Sequence, residues 1–176
     1  MKNERVPSVP LITCDPYFSV WSPSDTLFGE DTCSWTGAKK AMEGIMKVDD
    51  VSYRFMGTAK GEKEMEQTGL HITPTGSYYT FRGGNVNLRL TFLTPLLLTD
   101  PELISRPCSY IAYDISSEDG KIHTVELEVS MEEGHCYDGP AQREMTGGVH
   151  CMERFTAAWM GQKKQAPLSH SGDDIT

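Results

Sequence analysis

Apolar and polar residues alternate with a period of two along much of this chain, and glycine, proline and acidic pairs break the alternation at short intervals. That pattern predicts half-buried β-strands, because successive side chains of a strand point to opposite faces. The clearest case follows the turn at Arg82-Gly83-Gly84-Asn85: Val86, Leu88, Leu90 and Phe92 face one way, and Asn85, Asn87, Arg89 and Thr91 the other. Gly44 to Asp49 and Val51 to Gly57 read as a hairpin around Asp49-Asp50. In its second strand Val51, Tyr53 and Phe55 share one face, and Ser52, Arg54 and Met56 the other. Ile111, Tyr113 and Ile115 line up within Ser109 to Ser116, and Val125, Leu127, Val129 and Met131 within Ile122 to Met131, with Glu118-Asp119-Gly120 as the hairpin turn between them.

Weaker signals complete the series. Leu11 to Thr13 reads as a short strand. Tyr17 to Trp21 reads as another, with Tyr17, Ser19 and Trp21 on one face. Thr68 to Thr73 and Gly76 to Arg82 are strands parted by Pro74, Leu96 to Ser105 is a crossing, and Val149 to Met160 is a last strand. Residues 59–67 fit two helical turns or an exposed loop equally, since they lack an apolar stripe. Ser22 to Ser34 is a loop, and long for a connection inside a compact domain. About nine or ten short strands without a long helix predict an all-β fold of two packed antiparallel sheets, a β-sandwich. A closed barrel is the alternative. The sandwich is expected over residues 1–160, with an extended arm at 1–10 that carries Pro7 and Pro10, and a polar tail at 161–176.

Composition narrows the functional classes. The chain has 176 residues, enough to bury a core unaided, and a formal net charge of −9. Phosphate backbones and acidic lipid surfaces repel such a chain, so neither nucleic acid nor a membrane is an expected partner. Cys14, Cys33, Cys108, Cys136 and Cys151 are odd in number and widely spaced, which fits reduced thiols in a reducing compartment. The N-terminal residues hold no apolar run of signal-peptide length, and Leu96-Leu97-Leu98 is far too short to span a membrane. A soluble, cytoplasmic protein is expected, although a trimmed secretory signal would leave the same sequence.

Chemical signatures are sparse. The chain carries no nucleophile elbow, no His-Glu-x-x-His, no phosphate loop and no dinucleotide fingerprint. His135-Cys136 and His150-Cys151 would make a soft metal set only if a hairpin joined them, and strand-end positions explain them more simply. Asp49-Asp50 offers too few oxygens for a cation cage and is explained as a turn, while Glu132-Glu133 and Asp173-Asp174 read as solvated. No cofactor or metal is expected. The candidate site residues are Trp35, which follows the long loop, Asp25 and Asp31 within that loop, and Trp21. A carboxylate beside an indole suits sugar or amide recognition, although core packing is the commoner use of any one ring.

Several separate motifs carry a resemblance. Pro10-Leu-Ile12, Asp15 to Trp21, Asp25, Trp35-Thr-Gly37, Tyr53 to Gly57, Thr91 to Leu96, Ser105-Arg-Pro107, Ser109-Tyr-Ile111, Asp119-Gly120 with His123 and Val125, and Gly172-Asp-Asp174 together resemble the N-terminal region of the glutaminase A-like family. The resemblance implies a large β-sandwich followed by a helical toroid of the (α/α)6 type, with members described as glutaminases that release ammonia from glutamine. It implies that this sandwich is incomplete at its C-terminal end. No catalytic residue of the family maps onto a position here.

Three functions follow as expectations. The first is a non-catalytic N-terminal domain of an amide or glycoside hydrolase. It would pack against the helical (α/α)6 domain of the same or an adjacent polypeptide, lend loop residues to its site, and self-associate through an exposed sheet edge. The second is a free-standing carbohydrate-binding module. The third, and weakest, is a small amidase with Cys33 as nucleophile.

Overall fold

The computed structural model describes residues 6–15, 18–137 and 144–165. Twelve strands form a β-sandwich: β1 (Val9–Asp15), β2 (Phe18–Ser22), β3 (Met42–Val48), β4 (Val51–Met56), β5 (Lys63–Glu64), β6 (Glu66–Thr73), β7 (Gly76–Gly83), β8 (Val86–Leu93), β9 (Tyr110–Ser117), β10 (Val125–Met131), β11 (Met145–Cys151) and β12 (Thr156–Gln162). One four-residue helix, α1 (Pro101–Ile104), lies in the crossing before β9. Two four-stranded sheets, ordered β10-β3-β4-β5 and β6-β7-β8-β9, supply most of the core, and the pairs β1-β2 and β11-β12 stand beside them. All pairings are antiparallel except β4 with β5. Among the described residues the sheets are open, not closed into a barrel.

Local turn chemistry sets the two central hairpins. Asp49 and Asp50 adopt φ of 47° and 66°, and Gly84 and Asn85 adopt 59° and 61°. Positive φ at both central residues is the type I′ geometry whose twist matches that of paired strands, and Gly, Asn and Asp tolerate it best. The strands between these turns alternate as expected: Met42, Met46 and Val48 of β3 are buried, as are Tyr79 and Phe81 of β7 and Val86, Leu88, Leu90 and Phe92 of β8. Phe55 of β4 meets Phe81 of β7 with ring centroids 5.9 Å apart, which joins the two sheets.

Four expectations are corrected. Glu118-Asp119-Gly120 does not close a hairpin: β9 pairs with β8 and β10 with β3, so the chain crosses from one sheet to the other there. Met56 is fully buried next to Phe55 and does not share the face of Arg54 as alternation predicts. The β3–β4 ladder pairs Gly44 with Met56 and Ile45 with Arg54, so Phe55 is an extra residue that turns the strand end inward. Residues 59–67 form no helical turns, because Lys63–Glu64 and the start of β6 are extended. The single strand expected over Val149 to Met160 is a hairpin, β11 and β12 in unbroken register from Met145↔Gln162 to Cys151↔Thr156. Its turn contains Glu153 and Arg154, the charged pair that interrupts an otherwise uncharged stretch. Val9 and Pro10 of the expected arm already belong to β1, and the last strand runs to Gln162. Tyr17, the start of the arm, Gly172-Asp-Asp174 and most of the expected tail lie outside the described residues.

One side of the sandwich differs from the rest. Among the described residues β9 and β10 are each at an edge of their sheet, with one paired neighbour. Directly opposed residues of antiparallel strands share a face. By register, Ile111, Tyr113 and Ile115 point the same way as Phe92, Leu90 and Leu88, and Val125, Leu127 and Met131 the same way as Val48, Met46 and Met42. The inner partners are closed to solvent. The edge residues are not: Tyr113 is 61% exposed, Met131 is 36%, and the other four are half-buried. The core is open along this seam.

Candidate functional site

The β1-β2 hairpin and the turn at Ser34 to Gly37 border an open, shallow cleft of about 360 Å³, lined by Thr13, Cys14, Asp15, Ser19, Trp21 and Trp35. The loop that carries Trp35 is tied to β2. Trp21 N–H donates to the Cys33 carbonyl at 2.7 Å, and Cys33 N–H donates back at 3.0 Å. The Trp35 turn is closed by Gly37 N–H to the Ser34 carbonyl at 2.9 Å, with Gly37 at φ 94°, and by Ala38 N–H to Ser34 Oγ at 3.1 Å. Trp35 nevertheless stays 54% exposed. Asp15 closes its own end of the hairpin, its Oδ1 accepting from Phe18 N–H at 3.2 Å.

The four expected site residues divide. Trp21 and Trp35 meet in the cleft, whereas Asp25 and Asp31 do not line it. The Asp25 carbonyl accepts from Gln67 Nε2 at 3.0 Å, which ties the loop to β6. Asp31 accepts from Thr58 Oγ1 at 2.6 Å and pairs with Lys39 Nζ at 2.9 Å. The Thr58 hydroxyl and then the Lys39 ammonium hold its carboxyl below the usual range. The carboxylate that does sit beside the indoles is Asp15. Its signal in the sequence is the Asp15-Pro16 turn start ahead of an aromatic strand. Thr13, Cys14 and Ser19 had no such signal, since their approach to Trp35 is tertiary.

Nucleophilic chemistry finds little support. Burial, and then the Glu30 charge, pushes the Cys33 thiol up, and burial followed by Asp15 does the same to Cys14. An attacking cysteine needs the opposite, a thiol lowered by a base or a cation. His135, the buried histidine, sits on a short 3-10 turn (Glu133–Cys136), with Nε2 3.0 Å from the Ala41 carbonyl. That carbonyl requires a donor, so Nε2 carries the proton, and burial holds the ring neutral. Among the described residues no three His, Cys, Asp or Glu side chains are placed to share a metal ion.

Two charged clusters lie elsewhere. A cavity of about 490 Å³ is bordered by Lys39, Lys40, Glu132, Glu133 and Tyr137. Lys40 Nζ there donates to the carbonyls of Gly134 and Tyr137 at 2.7 and 2.8 Å, so it acts as a tie between segments. At the other end, His123 bridges two turns, with Nδ1 2.6 Å from Asp49 Oδ2 and Nε2 3.0 Å from Asp119 Oδ1. Asp49 thus does more than turn the chain, because its other oxygen accepts from Thr124 N–H at 3.0 Å.

Comparison with known proteins places this geometry in a family. Residues 1–67 match the model described as a domain of unknown function, DUF4964, and residues 75–176 match a second, DUF5127. The boundary between them does not divide the fold, because β3 of the first region pairs with β10 of the second. The chain is 31% identical over 131 residues to Glutaminase A of Aspergillus oryzae, a match that covers 70% of this chain and 19% of that protein. It therefore spans about a fifth of the length of that relative. No solved structure matches. The chain belongs to the DUF5127 family and corresponds to an N-terminal region of a glutaminase A-like protein.

Proposed function

We propose that this chain is a non-catalytic β-sandwich domain of a glutaminase-like amide or glycoside hydrolase, packing against a helical (α/α)6 domain of the same or an adjacent polypeptide. The observation that carries this reading is the open seam. An edge strand with an exposed apolar inner face is a liability in an isolated domain, and natural proteins normally cover or charge it. Here both sheets end on the same side with Ile111, Tyr113, Val125 and Leu127 only partly covered, so further structure is needed to close the core. The relative's much greater length is consistent with a source for it. The Trp21–Trp35 cleft would then lie at the rim of the parent site, with Asp25 and Asp31 holding the loop that presents it.

The chain alone is expected not to release ammonia from glutamine. Release well above buffer that disappears in Cys33→Ala would overturn the non-catalytic reading. Adding the separately expressed helical portion should slow amide hydrogen exchange in β9 and β10 above all. Unchanged exchange there would refute the docking.

A further inference from the structure

The tryptophan cleft has a chemistry of its own. Trp35 is a large apolar ring held in water by a hydrogen-bonded turn, so its exposure does not come from a slack loop. Trp21 stands beside it, and Asp15 supplies a carboxylate on the same rim. Ser19 lies in the wall, 9% exposed, and its Oγ is shielded from water and has no hydrogen-bond partner. A buried hydroxyl left in this state is costly, but no ligand hydroxyl reaches an atom that water cannot, so Ser19 shapes the wall and does not bind. Among the described residues no Lys, Arg or His lines the cleft. An anionic ligand would meet the Asp15 carboxylate on that rim and a chain of net charge −9. Glutamine is a zwitterion: its α-ammonium could meet Asp15, but its α-carboxylate has no cation among the described lining residues.

We propose that the Trp21–Trp35 cleft binds a neutral pyranoside, with the apolar C–H face of the sugar on the Trp35 indole and its hydroxyls on the Asp15 rim. The volume suits one ring with a few waters, at the small end of ligand sites. The indole offers apolar area at little entropic cost, and the carboxylate accepts from neighbouring hydroxyls and orients the ring. Binding is a property of this chain alone and does not rest on the helical domain. Its failure is therefore separable from failure of the docking read by hydrogen exchange.

The test is saturation-transfer NMR and tryptophan fluorescence on the chain with methyl glucoside, galactoside and mannoside and short oligosaccharides, against L-glutamine and choline. At least one glycoside should bind, and Trp35→Ala should weaken it by about tenfold or more while the unfolding midpoint stays unchanged. Trp35→Phe should recover part of the affinity, and Asp15→Asn should weaken binding. No glycoside binding would overturn the assignment, as would binding indifferent to Trp35→Ala. Preference for glutamine would refute the charge argument, and preference for choline would make the cleft a cation site instead.

Discussion

The contact between Gly44 and Phe55 allows a quantitative test of how the core is packed. A Cβ added at Gly44 would lie 2.3 Å from Cε2, 2.5 Å from Cζ and 2.9 Å from Cδ2 of the Phe55 ring. Ordinary carbon contacts are about 3.5–4.0 Å, so the ring must move by about 1 Å or more. It has little room, because it is fully buried and packed on Phe81. Overpacking of this kind costs about 1–3 kcal/mol. Gly→Ala also removes freedom from the unfolded chain, worth about 0.4–1 kcal/mol in the other direction where the backbone allows it. The expected net cost of Gly44→Ala is therefore about 1–2 kcal/mol. Phe55→Ala alone should cost about 3–5 kcal/mol through the cavity it leaves. Once the ring is gone the clash is gone, so Gly44→Ala in the Phe55→Ala background should be neutral or slightly stabilising. The coupling should be about 2 kcal/mol, within the range for side chains in contact. Urea unfolding followed by tryptophan fluorescence reads it. With m of about 1–3 kcal/mol/M, the single Gly44→Ala change lowers the midpoint by roughly 0.5–1 M, provided m itself is unchanged. Equal cost in both backgrounds would refute the packing argument.

Other perturbations address the remaining features. Asp49, then Asp119, raises the pKa of His123 above its ordinary value. A raised folded pKa means that the contribution is full below the unfolded value near ~6.5 and is lost as pH rises through the folded one. The lowered pKa of Asp49, caused first by His123, and that of Asp119, caused first by the Lys121 N–H, add stability above about pH 4 that is lost on acidification through the folded values. The melting difference between wild type and His123→Gln should thus be largest between about pH 4 and 6.5, and should shrink at alkaline pH and in high salt. A difference that grows with pH would contradict the clamp. The open seam predicts concentration-dependent self-association, and Tyr113→Lys on β9 should suppress it by placing a charge on the exposed inner face. Light scattering after size exclusion would decide, and a chain that is monomeric at every concentration would count against the seam.

The sequence by itself was enough for features that depend on a few neighbouring residues. Asp49-Asp50 and Gly84-Asn85 could be read as turns because positive φ is cheap for those residue types, and β8 could be read because its alternation is uninterrupted. Trp35 drew notice as an aromatic residue after a long loop, and it is indeed exposed. Tertiary structure decided the rest. The bulge at Phe55 arises where β4 must pair with β3 and pack on Phe81 together, and alternation within β4 does not reveal it. Val149 to Met160 looked like one strand, because a run with a single charged pair reads alike whether it stays straight or folds back at that pair, Glu153-Arg154. Asp49 meets His123 across 74 residues, and β10 joins β3 rather than β9. These pairings depend on which sheet faces are buried against each other, and local propensity carries no information about that. The same holds for the cleft: Asp15, and not Asp25 or Asp31, lies beside the indoles because Cys33 bridges to Trp21 and so brings the Trp35 turn against the β1-β2 hairpin.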